Sequence, residues 1–407
     1  MVTAINRVVL AYSGGLDTSV AIPWIRETYG AEVIALTVDL GQGRELQAIR
    51  QKALNTGAAK AVVVDGKKAF FREFVWPSLQ AGAMYEGRYP LATALARPLI
   101  ARALVEEALA EGANAVAHGC TGKGNDQVRF DVAVMSLAPQ LQVIAPAREW
   151  GMSREEEMEY ARKRGIPVPT TAASPFSVDE NLWGRSIEAG ILEDPWLEPP
   201  EEVYAWTKSV AAAPEKPAYL ELGFRHGLPV SLNGSDLEPL SLVSSLNEIA
   251  GEHGVGRIDH LENRLVGIKS REIYEAPAAM VLHVAHQALE SLTLAKEQQR
   301  FKEVVVREYA ELVYNGAWYS SHLRDLDAYV ASTQQFVSGV IRIRLHKGNC
   351  TVVGRHSPQS LYSYELATYD KDDQFDHHAS EGFIKVYGLP AKTQARKQPR
   401  EHGVKRI

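Results

Sequence analysis

The sequence has few cysteines, little net charge and no long uninterrupted apolar run. Its 407 residues include two cysteines, Cys120 and Cys350, which supply neither a disulfide framework nor a four-ligand zinc site. The formal net charge of −6 at pH 7 gives no electrostatic reason to expect a nucleic-acid partner. Such sparse cysteine usage is typical of the reducing cytoplasm.

Charged residues and proline interrupt the longest apolar segment. Residues 91–109 contain Arg97, Pro98 and Arg102, and this excludes a membrane span. The first residues carry only a short apolar stretch that leads directly into a strand pattern, which is not typical of a signal peptide. We therefore expect a cytoplasmic protein without a membrane or nucleic-acid partner.

The first part of the chain alternates apolar, β-branched runs with helical patterns. Strand patterns lie at residues 7–12, 32–40, 59–66, 112–119 and 141–146. Helices are predicted over 17–29 and 91–111, and "SREE" (153–156) is a capping box that opens a helix ending near Gly165. Pro23 predicts a kink or a late start of the first helix. This alternation predicts an α/β fold with a doubly wound, mainly parallel sheet that binds ligands at the carboxyl ends of its strands.

The pattern changes after Gly165. A proline-rich stretch (166–176) is followed by antiparallel strands over 217–239 with a turn at Asn233-Gly234, as Asn-Gly pairs favour. Helical patterns cover 242–251 and 278–314, and residues 339–356 predict a hairpin. We therefore predict a first domain over 1–168, a second α+β domain over 169–366 and a C-terminal tail over 367–407. The basic residues 389–407 either form a docking arm between subunits or fray, and a tail is favoured.

A short glycine loop stands between the first strand and the first helix, in "AYSGGLDTSV" (11–20). Gly14 and Gly15 permit close approach of the backbone to a ligand. Asp17, Thr18 and Ser19 open a helix whose first amides lack intrahelical partners, and such amides bind anions. The loop contains no lysine, and it matches neither the Walker loop nor the dinucleotide-binding glycine pattern.

The loop resembles the PP-loop, S-G-G-x-D-[ST]-S, of the N-type ATP pyrophosphatases. Two further stretches, "GCTGKGNDQVRF" (119–130) and "ENRLVGIKSREIYEAP" (262–277), resemble the argininosuccinate synthase family, and the resemblance runs from Val8 to about Tyr364. It implies a ligase that condenses citrulline with aspartate, consuming ATP with Mg²⁺ and releasing AMP and pyrophosphate. It also implies a homotetramer.

The resemblance assigns a substrate to most candidate site residues. ATP is assigned to Ala11, Tyr12, Ser13, Gly14, Gly15, Leu16, Asp17, Thr18, Ser19, Val38 and Gly119. Citrulline is assigned to Tyr89, Ala94, Asn125, Arg129, Ser177, Ser186, Glu262 and Tyr274, and aspartate to Thr121, Asn125 and Asp126. No residue is assigned as acid or base; Asp17 either reaches Mg²⁺ or caps its helix.

Two positions depart from the family pattern. Val38 stands where alanine is common, and Ala94 stands where serine is common. At the second position, either Thr93 supplies the missing hydroxyl or one hydrogen bond to citrulline is lost. We expect His283 and His286, which lie in a helical apolar pattern, to be packing residues and not metal ligands.

Several residues also have plain structural explanations. Asn125-Asp126 between glycines suits a turn, Arg129 and the Glu262/Arg264 pair suit surface ion pairs, and Tyr89 and Tyr274 suit packing. The functional alternatives are another PP-loop enzyme, such as an amidotransferase or a tRNA-modifying enzyme, and a nucleotide-binding or electron-transfer module. The first alternative would need a glutaminase cysteine, or paired cysteines with a basic face. The second would not need the intact loop.

Overall fold

The computed structural model describes residues 4–43, 45–167 and 176–398. The chain divides into two compact units, Met1–Gln359 and Ser360–Ile407. The predicted boundary at 168/169 and most of the predicted proline-rich connection lie outside the described residues. The predicted domain limits therefore stay a prediction.

A five-stranded parallel sheet forms the first part of the larger unit. Its strands are β1 (Arg7–Ala11), β2 (Glu32–Asp39), β3 (Lys60–Asp65), β4 (Ala115–Ala117) and β5 (Gln142–Ile144). They lie in the order β3-β2-β1-β4-β5, which confirms the predicted strands and the doubly wound class. The order reverses between β1 and β4, so a crevice is expected beyond their carboxyl ends.

Helices connect and cover these strands. They are α1 (Leu16–Tyr29), α2 (Leu46–Asn55), α3 (Lys67–Phe70), α4 (Trp76–Ala81), α5 (Ala92–Ala110), α6 (Asn125–Leu137), α7 (Pro146–Glu149) and α8 (Arg154–Lys163), with a π-helical turn at Phe71–Val75 between α3 and α4. The predicted capping box of α8 is confirmed, because Ser153 and Glu156 bond each other's backbone amides at 3.3 and 2.7 Å.

The late start predicted for α1 is wrong. The backbone N–H of Ser19 already donates to the carbonyl oxygen of Gly15 at 3.1 Å, so the helix begins directly after the glycine loop. Pro23 lies inside the continuous element.

Two antiparallel sheets form the second part of the larger unit. One contains β6 (Ser177–Asn181), β7 (Gly184–Glu188), β11 (Arg257–Asn263) and β12 (Lys269–Glu275) in the order β11-β12-β7-β6. The other contains β8 (Ala218–Arg225), β9 (Leu228–Leu232), β10 (Ser235–Asp236), β13 (Gly339–His346) and β14 (Asn349–His356) in the order β10-β9-β8-β13-β14. The predicted α+β character, the Asn233-Gly234 turn and the 339–356 hairpin are confirmed.

The helices of this part are α9 (Pro239–Glu252), α10 (Pro277–Thr293), α11 (Lys296–Tyr314) and α12 (Ser321–Thr333), with 3-10 turns at Gly190–Glu193, Glu201–Val203 and Gln334–Phe336. His283 and His286 are buried on α10, and burial lowers the pKa of His283 to about 3. These histidines pack as neutral side chains, as predicted. One apolar cluster includes Val9, Leu95, Trp183 and Leu282, so the parallel sheet and the antiparallel part share a core.

The smaller unit is helical where it is described. It contains α13 (Tyr364–Ala367), α14 (His377–Tyr387) and α15 (Leu389–Lys397). The expectation that residues 389–407 fray is therefore wrong for 389–397, which form α15. Within the described ranges, no helix combines the length and the apolar character needed to cross a membrane.

Candidate active site

A cavity of about 1160 Å³ opens at the carboxyl ends of the parallel strands, where the strand order reverses. The glycine loop after β1, the end of β2, the loop after β4 and the helices α5 and α8 contribute to its walls. Strand β6 of the antiparallel part closes one side. The cavity therefore lies where both parts of the larger unit meet.

Most of the residues assigned to ATP line the cavity, together with one residue assigned to citrulline and one assigned to aspartate. The lining includes Ala11, Tyr12, Ser13, Gly15, Leu16, Asp17, Thr18, Val38, Gly119, Asp126 and Ser177. Other predicted residues do not contribute to that wall: Gly14, Ser19, Tyr89, Ala94, Thr121, Asn125, Arg129, Ser186, Glu262 and Tyr274.

Side-chain hydroxyls hold the glycine loop in shape. Ser13 Oγ lies 3.1 Å from Thr18 Oγ1 and accepts from the backbone N–H of Gly15 at 3.2 Å. Ser19 Oγ donates to the Gly15 carbonyl oxygen at 2.7 Å. The buried Ser19 therefore shapes the loop from behind, and the amides at the start of α1 remain the groups that this geometry offers to an anion.

Glycine is required at two positions near this loop. Gly14 has a φ of +77°, in the left-handed region that favours glycine. A Cβ at Gly119 would lie 2.9 Å from Thr18 Cγ2, so only glycine lets the loop after β4 approach the loop after β1 this closely. This contact joins the two loops at the switch point of the sheet.

Asp17 does not cap α1, so the capping alternative is wrong. No side chain caps this helix, and the Asp17 carboxylate instead accepts from Arg154 Nη1 at 2.5 Å. Arg154 also bonds Glu157 Oε2 at 3.1 Å. Burial, together with the charge of Asp17, raises the pKa of Glu157 to about 7. Sequence reasoning missed Arg154, because nothing local shows that α8 begins beside the glycine loop.

Two arginines, the buried Arg129 and the partly buried Arg97, enclose Asp126. Arg97 donates to Asp126 Oδ2 through Nε and Nη2 at 2.9 and 2.7 Å, and Arg129 Nη1 donates to Oδ1 at 2.8 Å. Arg97 is also paired with Asp179. Burial by itself raises the pKa of Asp126, but the charges of Arg97 and Arg129 outweigh it and lower the pKa to about 2. Asp126 is therefore ionised, and Arg97, which was not assigned a role, neutralises it.

Arg129 is buried, so the surface ion-pair explanation is wrong. Its Nε donates to the carbonyl oxygen of Tyr314 at 2.8 Å, and its guanidinium carbon lies 4.8 Å from the centre of that tyrosine ring. Within the described part of the chain, its Nη2 is buried without a hydrogen-bond partner. A buried guanidinium with a donor to spare fits a ligand carboxylate.

Glu262 lies on strand β11 and its carboxylate is buried, so a helix-surface pair with Arg264 is excluded. Tyr274 Oη donates to Glu262 Oε2 and Tyr314 Oη donates to Oε1, both at 2.6 Å. Arg264 instead pairs with Glu188 and with Glu272. Tyr89 stacks on Tyr274, with ring centres 4.1 Å apart. The carboxylate is thus oriented by two buried phenols.

Asn125 and Asp126 open α6, so the turn explanation is wrong. Asn125 Nδ2 donates to Tyr314 Oη at 2.8 Å, and Asn125 Oδ1 accepts from the backbone N–H of Leu265 at 2.9 Å. Tyr314, which sequence reasoning did not single out, therefore contacts Asn125, Arg129 and Glu262. Through Asp126 this cluster adjoins the cavity that contains the glycine loop.

The remaining predicted residues occupy varied positions. Ser177 lies on the cavity wall, and Ser186 Oγ donates to the Asp179 carbonyl oxygen at 3.4 Å. Ala94 is fully buried in α5. Next to it, the backbone N–H of Thr93 donates to Tyr89 Oη at 2.8 Å, which places Thr93 beside the stacked tyrosines. Thr121 lies in the loop between β4 and α6, where its carbonyl oxygen accepts from the Gly124 amide.

A parallel sheet with a glycine loop and a crevice at its switch point defines a nucleotide-binding α/β protein. Comparison with protein families agrees: residues 7–167 match the "Arginosuccinate synthase N-terminal HUP domain" and residues 176–394 match the "Arginosuccinate synthase C-terminal domain". The chain belongs to the argininosuccinate synthase family.

Curated relatives match over nearly the whole chain. The argininosuccinate synthase of Dehalococcoides mccartyi strain 195 is 60% identical over 394 residues, covering 97% of both chains. The same enzyme of Gloeobacter violaceus is 62% identical, covering 96% of this chain and 98% of its own. That of Synechococcus elongatus is 61% identical, covering 95% and 97%.

Proposed function

We propose that this chain condenses citrulline with aspartate to form argininosuccinate, consuming ATP and releasing AMP and pyrophosphate in arginine biosynthesis. Its family membership makes it an ATP-using ligase that acts on small molecules. The observation that carries the residue-level proposal is that the glycine loop and Asp126 line one cavity, with Arg129 bonded to Asp126 and Glu262 connected to Arg129 through Tyr314.

The ATP phosphates are assigned to the glycine loop. The amides at the start of α1, which lack partners within the helix, present donors to an anion, and Ser13 and Thr18 line the cavity beside them. Val38 at the end of β2 and Gly119 after β4 line the same cavity. Backbone donors bind pyrophosphate without a covalent bond, so it can leave once the bond to the α-phosphate breaks.

Magnesium is assigned as the companion of ATP. The described residues contain no group of three or more His, Cys, Asp or Glu side chains arranged for a metal. The Asp17 carboxylate lines the cavity. One carboxylate together with phosphate oxygens and water fits Mg²⁺, which rarely takes a cage made only of protein ligands. Asp17 would hold the ion, which would neutralise the developing charge of the pyrophosphate.

Citrulline and aspartate are assigned to Asp126 and to the side chains connected to it, which include Asn125, Arg129 and Glu262. Arg129 Nη2, which has no hydrogen-bond partner among the described residues, suits the citrulline carboxylate. The buried Glu262, held by Tyr274 and Tyr314, suits the citrulline ammonium. Ser177, Ser186, Tyr89, Ala94 and Asn125 complete the set proposed for citrulline. Thr121, Asn125 and Asp126 remain the proposed set for aspartate.

The chemistry follows from alignment and charge neutralisation. The ureido oxygen of citrulline attacks the α-phosphorus of ATP, and the bond to the bridging oxygen breaks to release pyrophosphate. In the resulting citrullyl-adenylate the oxygen has become a good leaving group. The aspartate amine then attacks the ureido carbon, loses a proton and displaces AMP, which keeps the citrulline oxygen.

Isotope transfer tests this order of steps. With ¹⁸O in the ureido group, we expect the label to finish in AMP, as measured by mass spectrometry of the nucleotide product. In mixtures that omit one amino acid, AMP should not form without citrulline. Unlabelled AMP, or AMP formed from ATP and aspartate alone, would contradict the adenylate route.

The alternatives from the sequence are not favoured. An amidotransferase or a tRNA-modifying enzyme belongs to another branch of the PP-loop enzymes, whereas both family matches and the full-length relatives are argininosuccinate synthases. We further propose a homotetramer in the cytoplasm. These two points rest on the resemblance and on the cysteine usage, and the oligomer is tested below.

A further inference from the structure

The glycine loop lacks the lysine that commonly accompanies phosphate-binding loops, so the charge of a bound triphosphate must be balanced from elsewhere. Among the described residues, the basic side chains that line the cavity are Arg97, Arg154 and His118. Two of these side chains already have partners within the protein. Arg97 is enclosed by Asp126 and Asp179, and His118 Nε2 is bonded to Asp131 while its Nδ1 accepts from the Cys120 amide.

Lys52 lies close to the loop but serves a different purpose. Its ammonium donates to the carbonyl oxygen of Gly14 at 2.7 Å, so it holds the loop backbone from outside the cavity. Lys52 is not among the residues that line the cavity. Among the described residues that line the cavity, Arg154 is therefore the remaining cation.

Arg154 is positioned to reach a phosphate. It is the first residue of α8, whose amino end is held by the Ser153 capping box, and its side chain is 62% exposed. Its guanidinium contacts Asp17, the acidic residue of the glycine loop, and Asp17 is itself 41% exposed. A solvent-exposed ion pair contributes little to stability, so a polyphosphate can displace it.

We propose that Arg154 supplies the positive charge that the glycine loop lacks, moving from Asp17 to the leaving pyrophosphate of bound ATP. The guanidinium fork matches a phosphate with two parallel hydrogen bonds. Its departure would also uncover the Asp17 carboxylate for the magnesium ion that accompanies ATP. The pair thus exchanges one internal contact for two contacts with the substrate. This inference rests on the proposed function.

Glu157 is the second partner of Arg154 in the free protein. Its carboxylate oxygen Oε2 lies 3.1 Å from Arg154 Nη1, three residues along the same helix. The contacts with Asp17 and Glu157 together hold the guanidinium on the wall of the cavity, beside the glycine loop.

The test compares Arg154→Gln and Arg154→Lys with Arg162→Gln, a matched control. Arg162 lies on the exposed face of the same helix and does not line the cavity. For Arg154→Gln we expect KM for ATP and the inhibition constant of pyrophosphate to rise about tenfold, the worth of one charge-assisted contact. AMP inhibition and the KM values for the amino acids should change less than about twofold. For Arg154→Lys both constants should lie between those of Arg154→Gln and wild type, because lysine keeps the charge but lacks the two-pronged guanidinium.

A second measurement separates this inference from the proposed function. Calorimetric titration of pyrophosphate with magnesium into each variant requires no turnover. Weaker pyrophosphate binding by Arg154→Gln alone, with unchanged thermal unfolding midpoints, supports the role even if no argininosuccinate is formed. Equal pyrophosphate affinity of Arg154→Gln and Arg162→Gln, or equal losses for pyrophosphate and AMP, would overturn it. Absence of argininosuccinate with wild type would instead overturn the proposed function.

Discussion

At the scale of single residues, the site is built from charges that are already paired before any ligand arrives. Asp126 illustrates this, because it lies between Arg97 and Arg129 at hydrogen-bond distance. A carboxylate between two guanidiniums holds both of them in place, and the second partner of Arg97, Asp179, balances the remaining positive charge. The residue assigned to the ammonium of aspartate therefore also positions the arginine assigned to citrulline.

Asp126→Asn tests this double role. Since the pKa of Asp126 is lowered from 3.8 to about 2, its ionised form stabilises the fold above about pH 4, and that contribution disappears as the pH falls towards 2. We expect the variant to lose about 2 kcal/mol of unfolding free energy at pH 7. The difference from wild type in urea titrations should shrink between pH 4 and pH 2. A constant difference over this range would contradict the pairing.

The same variant distinguishes the two substrates that share the cavity. In titrations at pH 7, where the fold remains intact, aspartate affinity should fall far more than ATP affinity, because Asp126 lies beyond the glycine loop. ATP serves as the internal control. Equal losses for both ligands would contradict the assignment to aspartate.

At the scale of elements, the buried helices differ in whether their contacts are apolar or ionic. Helix α5 is apolar on most of its surface because it lies between the parallel sheet and the antiparallel part, and Arg97 projects from it into the cavity. Helices α10 and α11 instead share a buried ion pair between Glu290 and Lys302. The Lys302 ammonium also donates to the carbonyl oxygen of Gln80 at the end of α4. One buried charge thus joins three helices.

Removing one partner of this ion pair should lower the free energy of unfolding more than replacing both partners by apolar residues. We expect Glu290→Ala to lose about 3 kcal/mol of unfolding free energy, because it leaves a buried ammonium without its counter-charge. The double variant Glu290→Leu with Lys302→Met should recover most of that loss. Urea unfolding is the measurement, with the exposed Glu303→Ala of α11 as control. A double variant as unstable as the single one would refute this account.

At the scale of the whole molecule, the smaller unit carries apolar side chains that a monomer would leave in water. On α14, Phe383, Ile384, Val386 and Tyr387 are each more than three-fifths exposed. Exposed apolar patches of this kind mark interaction surfaces. The features of α14 therefore support a docking role between subunits for the predicted tail over 367–407, which contains this helix.

We expect wild type to elute as a tetramer in size-exclusion chromatography with light scattering, because assembly would bury this apolar face. Ile384→Asp combined with Val386→Asp should yield smaller species. Lys385→Gln, which changes an exposed charge on the same helix, serves as the control. A monomeric wild type, or a double aspartate variant that stays tetrameric, would refute the arm.

Much of the fold could be predicted from the sequence because its signals are local. The strands of the parallel sheet are short β-branched runs, the glycine loop is seven consecutive residues, and the α8 cap is a four-residue pattern. The antiparallel sheet of β6, β7, β11 and β12 was not predicted. Its strands are polar on their solvent face and lack a clear apolar run. Glu262 was therefore given a surface ion pair with Arg264 as an alternative explanation.

The sequence by itself determined the class of fold, the nucleotide loop and the family, since each depends on neighbouring residues. Only the tertiary structure decided which charges meet: Arg154 with Asp17, Arg97 with Asp126, and Tyr314 with Glu262. These partners are far apart in the chain, and periodicity carries no information about which distant side chains become neighbours. Their pairing depends on the packing of α5 and α8 around the cavity and of α11 against α5.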